Sequence, residues 1–164
     1  REEVDPHIWL APGTLKLLAQ NTAKALIDFD LQNKTVYEAN LTTLLEDLDL
    51  LDAELSAAFA SQSKKNFLII HPALGYLAQE YGLVQIAVEA GGQEPGPETL
   101  ATIIQTARDL GVETIFVQRG VDPKLAHSIA AQLGSSRMVE VDPLAQDVIA
   151  NLKKLAPEIA EALR

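Results

Sequence analysis

Phe67-Leu68-Ile69-Ile70 runs directly into His71-Pro72. Four consecutive apolar residues, two of them β-branched, offer no polar face to water, so they suit a strand in a sheet covered on both sides. Sheets of that kind are parallel, and their strands are joined by crossover helices. The sequence after Asn66 has this alternation: strand 67–70, short helix 73–81, strand 83–88, a Gly/Pro-rich loop from Ala90 to Pro97, and helix 98–110. Strand Thr114 to Gln118 follows, then a loop to Asp122-Pro123, helix 124–133, strand Met138 to Val141 and a last helix from about Ala145. Gly111 and Gly134 stand where helices should stop. Pro157 interrupts the last helix, so a kink or break is expected between Leu155 and Glu158. The expected fold is α/β, a four-stranded parallel sheet with flanking helices and right-handed crossovers.

The first third of the chain has a different texture. Pro12 suits the first turn of a helix, and Leu15, Leu18, Ala19, Thr22, Leu26 and Phe29 recur at intervals of three and four, ending near Asp30. From about Thr35 to Ala60, Tyr37, Leu41, Leu44, Leu48, Leu51, Leu55 and Ala58 form a narrow seam on one long helix. Burial of each of its five leucines would contribute about 1.5 to 3 kcal/mol before entropy is charged against it. At 1.5 Å rise per residue, such a helix of about 25 residues is roughly 37 Å long, the length of a whole domain. Ser61 to Asn66 is a polar connector, and it separates a helical region, 1–62, from an α/β lobe, 63–164. The chain lacks an initiator methionine and is expected to be part of a longer one.

The 164 residues carry 13 Lys+Arg against 23 Asp+Glu, a net charge of −10. That balance argues against binding a phosphate backbone and favours a cationic ligand, and an aromatic share of 5% disfavours a base-stacking platform. Nucleic acid is therefore not an expected partner. With no cysteine, there is no disulfide, thiolate metal site or cysteine nucleophile.

Ligands of open α/β sheets bind at the carboxyl edge. The residues that follow the four strands are His71, Glu89, Gln118 and Asp142. Imidazole suits Zn²⁺ and its neighbours, and carboxylates complete such sites. Each residue also has a plainer explanation. His71 can end a strand with its ring bonded to backbone, Asp142 before Pro143 looks like a helix N-cap, Glu89 reads as a solvated loop acid, and Gln118 as a loop anchor. His127 falls on the polar side of its helix. Gly91-Gly92 with Gly96 lacks both the lysine of a phosphate loop and dinucleotide spacing, and reads as a turn. No nucleophile elbow or paired acids beside a histidine suggest an enzyme.

Asp5-Pro6-His7-Ile8-Trp9-Leu10-Ala11-Pro12 resembles the segment that opens the second half of the zinc- and manganese-binding solute receptors of ABC transporters, the zinc-uptake or cluster A-I type. The likeness continues through Phe67 to Tyr76, Tyr81-Gly82-Leu83, Glu94 to Leu100, Ile115-Phe116-Val117 and Val141 to Ala145. The resemblance implies two α/β lobes joined by a rigid long helix, with metal in the cleft between them. It implies His7 and His71 as metal ligands and Asp142 as the carboxylate that completes the site or stands close to it. A histidine at position 71 favours zinc, with manganese as the alternative ion. The family's first histidine belongs to an N-terminal lobe with no counterpart here, so the chain resembles the linking helix plus C-terminal lobe only. Departures are Ala11 for an acid or serine, Arg119-Gly120 for Pro-Gln, and Gly96 for a capping serine.

The function implied is extracytoplasmic or periplasmic capture of a divalent transition metal for delivery to an ABC permease, without enzymatic chemistry. A surface adhesin and a zinc hydrolase using Glu89 as base are the alternatives. A lobe surface that lacks its cover implies self-association.

Overall fold

The computed structural model describes residues 4–134 and 137–164. A single 3₁₀ turn, Ile8–Leu10, leads into α1 (Pro12–Phe29); a second 3₁₀ turn, Leu31–Asn33, leads into α2 (Lys34–Ala60). The alternating part then follows as β1 (Asn66–Ile69), α3 (Gly75–Glu80), β2 (Val84–Ala87), α4 (Pro97–Asp109), β3 (Thr114–Gln118), α5 (Lys124–Leu133), β4 (Arg137–Val141) and α6 (Val148–Ala162). The strands form one parallel sheet in the order β2-β1-β3-β4. The expected fold class is the observed one.

Because strand side chains alternate between faces, the apolar run of β1 supplies two cores at once. Phe67 and Ile69 face α2, α3 and α6, while Leu68 and Ile70 face α4 and α5. Phe67 meets Phe116 of β3 edge to face, with ring centres 5.4 Å apart. The first core also takes in Leu10, Leu48, Leu51, Leu55 and Phe59, so it crosses from region 1–62 into region 63–164.

The leucine seam of α2 is covered over only part of its length. Leu48, Leu51 and Leu55 are fully buried, Leu41 is half-buried and Leu44 remains 36% exposed, lining an apolar groove between α1 and α2. Phe29 and Leu31, at the far end of this helix pair, are 92% and 71% exposed. The seam's full contribution, conditional on all five leucines being buried, is therefore not reached: the sheet and α6 reach only the C-terminal half of α2.

Two helix boundaries also differ. The last helix begins at Val148 rather than Ala145, because Asp147 is the residue whose side chain accepts the Ala150 N–H. It then runs through Pro157 without ending. The carbonyl that Pro157 leaves without a partner is that of Lys153, and both residues are exposed, so water can satisfy it.

Polar contacts fix α1 and α2 to α3. The Glu80 carboxylate accepts the Gly13 N–H at the start of α1, at 3.0 and 3.1 Å from its two oxygens. Lys16 pairs with Asp49 at 2.6 Å and Asp52 at 3.3 Å, and the Tyr81 hydroxyl donates to Asp52 at 2.9 Å while its ring lies on Phe59. Burial first, and then the bond to Asp52, push the Tyr81 hydroxyl above the ordinary tyrosine range; the hydrogen bond to Asp49 leads the causes that raise Lys16.

A raised folded-state value means that stability is fully present below the unfolded value and declines above it. Urea midpoints should therefore fall as pH rises past about 10, the ordinary tyrosine value, and Tyr81→Phe should make that fall shallower while Lys16 keeps part of it. In the same assay, Leu51→Ala should destabilise by about 2 to 5 kcal/mol because it empties a fully buried position. Leu44→Ala should destabilise by less than about 1 kcal/mol, since its side chain is already partly in water.

Candidate metal site

Pro6 and Pro72 bracket the place where the N-terminal segment crosses the carboxyl edge of the sheet. Three long-range contacts hold that segment. The Tyr76 hydroxyl donates to the Asp5 carbonyl at 3.2 Å, Trp9 Nε1–H donates to the Pro143 carbonyl at 2.8 Å, and Leu10 is buried in the first core. His7 is thereby carried to the end of β1, where its ring stands 5.2 Å from that of His71, centre to centre and nearly perpendicular. The two side chains are 12% and 28% exposed. They line one cleft of about 640 Å³ with Asp5, Gln85, Gly91 and Gly92.

Each imidazole is held through Nδ1 by a carboxylate. Asp5 Oδ1 lies 2.7 Å from His7 Nδ1 and also accepts the His7 backbone N–H at 2.9 Å. Glu89 Oε2 lies 2.9 Å from His71 Nδ1. A carboxylate only accepts, so Nδ1 carries the hydrogen in both rings and the Nε2 lone pairs are left for a ligand. This is the arrangement in which an outer carboxylate orients a metal-binding histidine. Two imidazoles on one tetrahedral ion, with Zn–N bonds of about 2.0 to 2.1 Å, have ring centres about 5 Å apart, which fits the observed spacing.

Glu89 is therefore not the solvated loop acid of the sequence analysis. Parallel pairing brings it beside His71: Ile69 is in register with Ala87, and beyond them Val88 and Glu89 donate their N–H groups to the carbonyls of Ile69 and Ile70. The same offset of 18 residues separates His71 from Glu89. His71 is not tied to backbone either, since its ring partner is that carboxylate. The Gly91-Gly92 turn is as expected, closed by two backbone bonds between Ala90 and Gln93 with both glycines at positive φ.

Asp142 has other partners in this structure. Its Oδ1 accepts the Leu144 N–H at 3.1 Å in a local turn, and Arg119 Nη1 donates to its Oδ2 at 3.3 Å. Residue 142 is no helix cap; that role falls to Asp147. The structure brings His7 and His71 together. Among the described residues, no group of three or more His, Asp or Glu side chains is gathered closely enough to hold a metal ion. His127, exposed on α5, bonds only to the Pro123 carbonyl among the contacts described for its ring.

The family described as zinc-uptake complex component A, periplasmic, matches residues 1–162. The chain belongs to this family. The high-affinity zinc uptake system protein ZnuA of Bacillus subtilis is 31% identical over 138 residues, covering 83% of this chain and 43% of that protein. A crystal structure of a ZnuA deletion mutant with zinc bound is 38% identical with a TM-score of 0.91, covering 99% of this chain and 62% of that one. The laminin-binding protein Lmb of Streptococcus agalactiae, described as bifunctional with adhesin and metal-transporting activity, is 29% identical with a TM-score of 0.90, covering 98% of this chain and 65% of that one. The chain spans about half the length of the curated relatives it matches.

The sequence alone does not single out Asp5 and Glu89 as the partners of these rings. For Asp5 the signal is local, an acid two residues before a histidine; for Glu89 it is the strand register, which a one-dimensional reading supplies only if both strands are placed to the residue.

Proposed function

We propose that this chain takes part in capturing Zn²⁺ outside the cytoplasm for delivery to an ABC permease, with His7 and His71 binding through Nε2 and Asp142 completing or neighbouring the site. The observation that carries the proposal is the pair of facing imidazoles, each with Nδ1 occupied by a carboxylate. Neutral nitrogen donors favour zinc over manganese, which prefers oxygen, and the acidic surface favours a cation in general. The process is binding and release of the ion through coordination bonds, with no covalent chemistry. Glu89, the base that a hydrolase would need, is already engaged by His71.

For Asp142 to become a ligand, its Oδ2 must leave Arg119, which with Gly120 stands in place of the family's Pro-Gln. Arg119 also lies 3.8 Å from Glu140 and is largely exposed, so the exchange loses little. Zinc titration calorimetry should show affinity falling at least tenfold in His7→Ala and in His71→Ala. Arg119→Ala should bind more tightly than the parent chain because it removes a competing cation; unchanged affinity there together with unchanged affinity in Asp142→Ala would remove Asp142 from the site.

A second reading, surface adhesion, draws on the likeness to the laminin-binding protein and on the exposed apolar end of the α1–α2 pair. Replacing Phe29 and Leu31 with serine should abolish laminin adsorption if that end is the contact, while leaving zinc titration unchanged.

A further inference from the structure

Gly75 opens α3, yet it is not one of the chain's positive-φ glycines. Backbone conformation therefore gives no reason for glycine there, and alanine is the better helix former by up to about 1 kcal/mol. The surroundings supply the reason. A Cβ at residue 75 would stand 2.6 Å from Asp5 Oδ2 and 3.7 Å from Gln85 Nε2.

The Asp5 carboxylate that fills this space holds His7 with its other oxygen, on both the ring Nδ1 and the backbone N–H. Its backbone is held as well, by the Tyr76 hydroxyl on its carbonyl. Gln85 closes the far side by accepting the Leu74 N–H at 2.8 Å. With its main chain anchored, Asp5 can escape a Cβ at residue 75 only by turning its short side chain. The turn itself involves little strain, but it breaks the bond that fixes the His7 tautomer.

We propose that Gly75 is a positioning residue for metal capture. It keeps open the space in which the Asp5 carboxylate lies, and so holds His7 as an Nε2 donor from a distance of two side chains. The inference rests on the zinc-binding reading of His7 and His71, and it reaches a residue that touches neither imidazole in the contacts described.

The test compares Gly75→Ala, Asp5→Ala and the double variant with the unmodified chain. Zinc affinity by calorimetry against a competing chelator should fall about 10- to 100-fold in each single variant, the usual range for lost outer-shell partners. The double variant should bind no more weakly than Asp5→Ala, because the added Cβ acts only through that carboxylate. The thermal midpoint of Gly75→Ala should be unchanged or higher. A metal-free readout accompanies this: ¹⁵N-resolved imidazole spectra in mildly alkaline buffer should show His7 losing its single Nδ1–H form in Gly75→Ala, while His71 keeps its own.

Zinc binding and a His7 tautomer both unchanged in Gly75→Ala would overturn the proposal, as would losses that add in the double variant. If Gly75→Ala melts early, recovery of the fold in the double variant identifies Asp5 as the obstacle, and failure to recover refutes it. If the unmodified chain does not bind zinc, the zinc-binding reading fails by itself and the tautomer comparison still decides whether Gly75 controls His7.

Discussion

The register between β1 and β2 decides both the core and the site. Because Phe67 and Ile69 face one layer and Leu68 and Ile70 the other, a slip of one residue would exchange which side chains enter each core. The same register places Glu89 beside His71 just beyond the last paired residues. Hydrophobic burial along the strand thus sets the position of a polar pair at its end. The site inherits its precision from the least polar part of the chain.

His7 reaches that pair by another route. Its segment is irregular, and what orders it is a set of contacts made by side chains far away in sequence: Tyr76 on the Asp5 carbonyl, Pro143 accepting from Trp9, and the core receiving Leu10. These contacts bridge from α3 to the turn after β4, so the N-terminal segment lies across the carboxyl edge of the sheet. Asp5 then holds His7 locally. Each imidazole ring is held through one short carboxylate contact, and for Asp5 it depends on the absence of one methyl group at Gly75.

The α1–α2 pair has unequal ends. Near the sheet it is fixed by buried leucines and by the Lys16, Asp49, Asp52 and Tyr81 contacts; away from the sheet its seam continues in sequence but opens to solvent. Helical periodicity reports which face of a helix is apolar, and says nothing about how far a partner extends along it. That is why Leu44 reads like Leu51 in the sequence and differs from it in the fold.

The sequence by itself determined the strand and helix alternation, the parallel sheet and the glycine-terminated helices, because these follow from periodicity, β-branching and turn chemistry within short windows. It marked His71 as a candidate by its place at a strand end, whereas His7 was marked only by the family resemblance. Tertiary structure decided the rest. Asp142 before Pro143 reads locally as a helix cap, and the course of the chain into α6 gave that role to Asp147 instead. Pro157 is tolerated because the carbonyl it orphans faces water, and Glu89 became the partner of His71 because strand pairing brought together two groups 18 residues apart. Asp5 lies close to His7 in sequence, yet its place was set by Gly75 and Tyr76 across the fold. Local rules state what each residue can do, whereas distance and burial select which of those contacts is made.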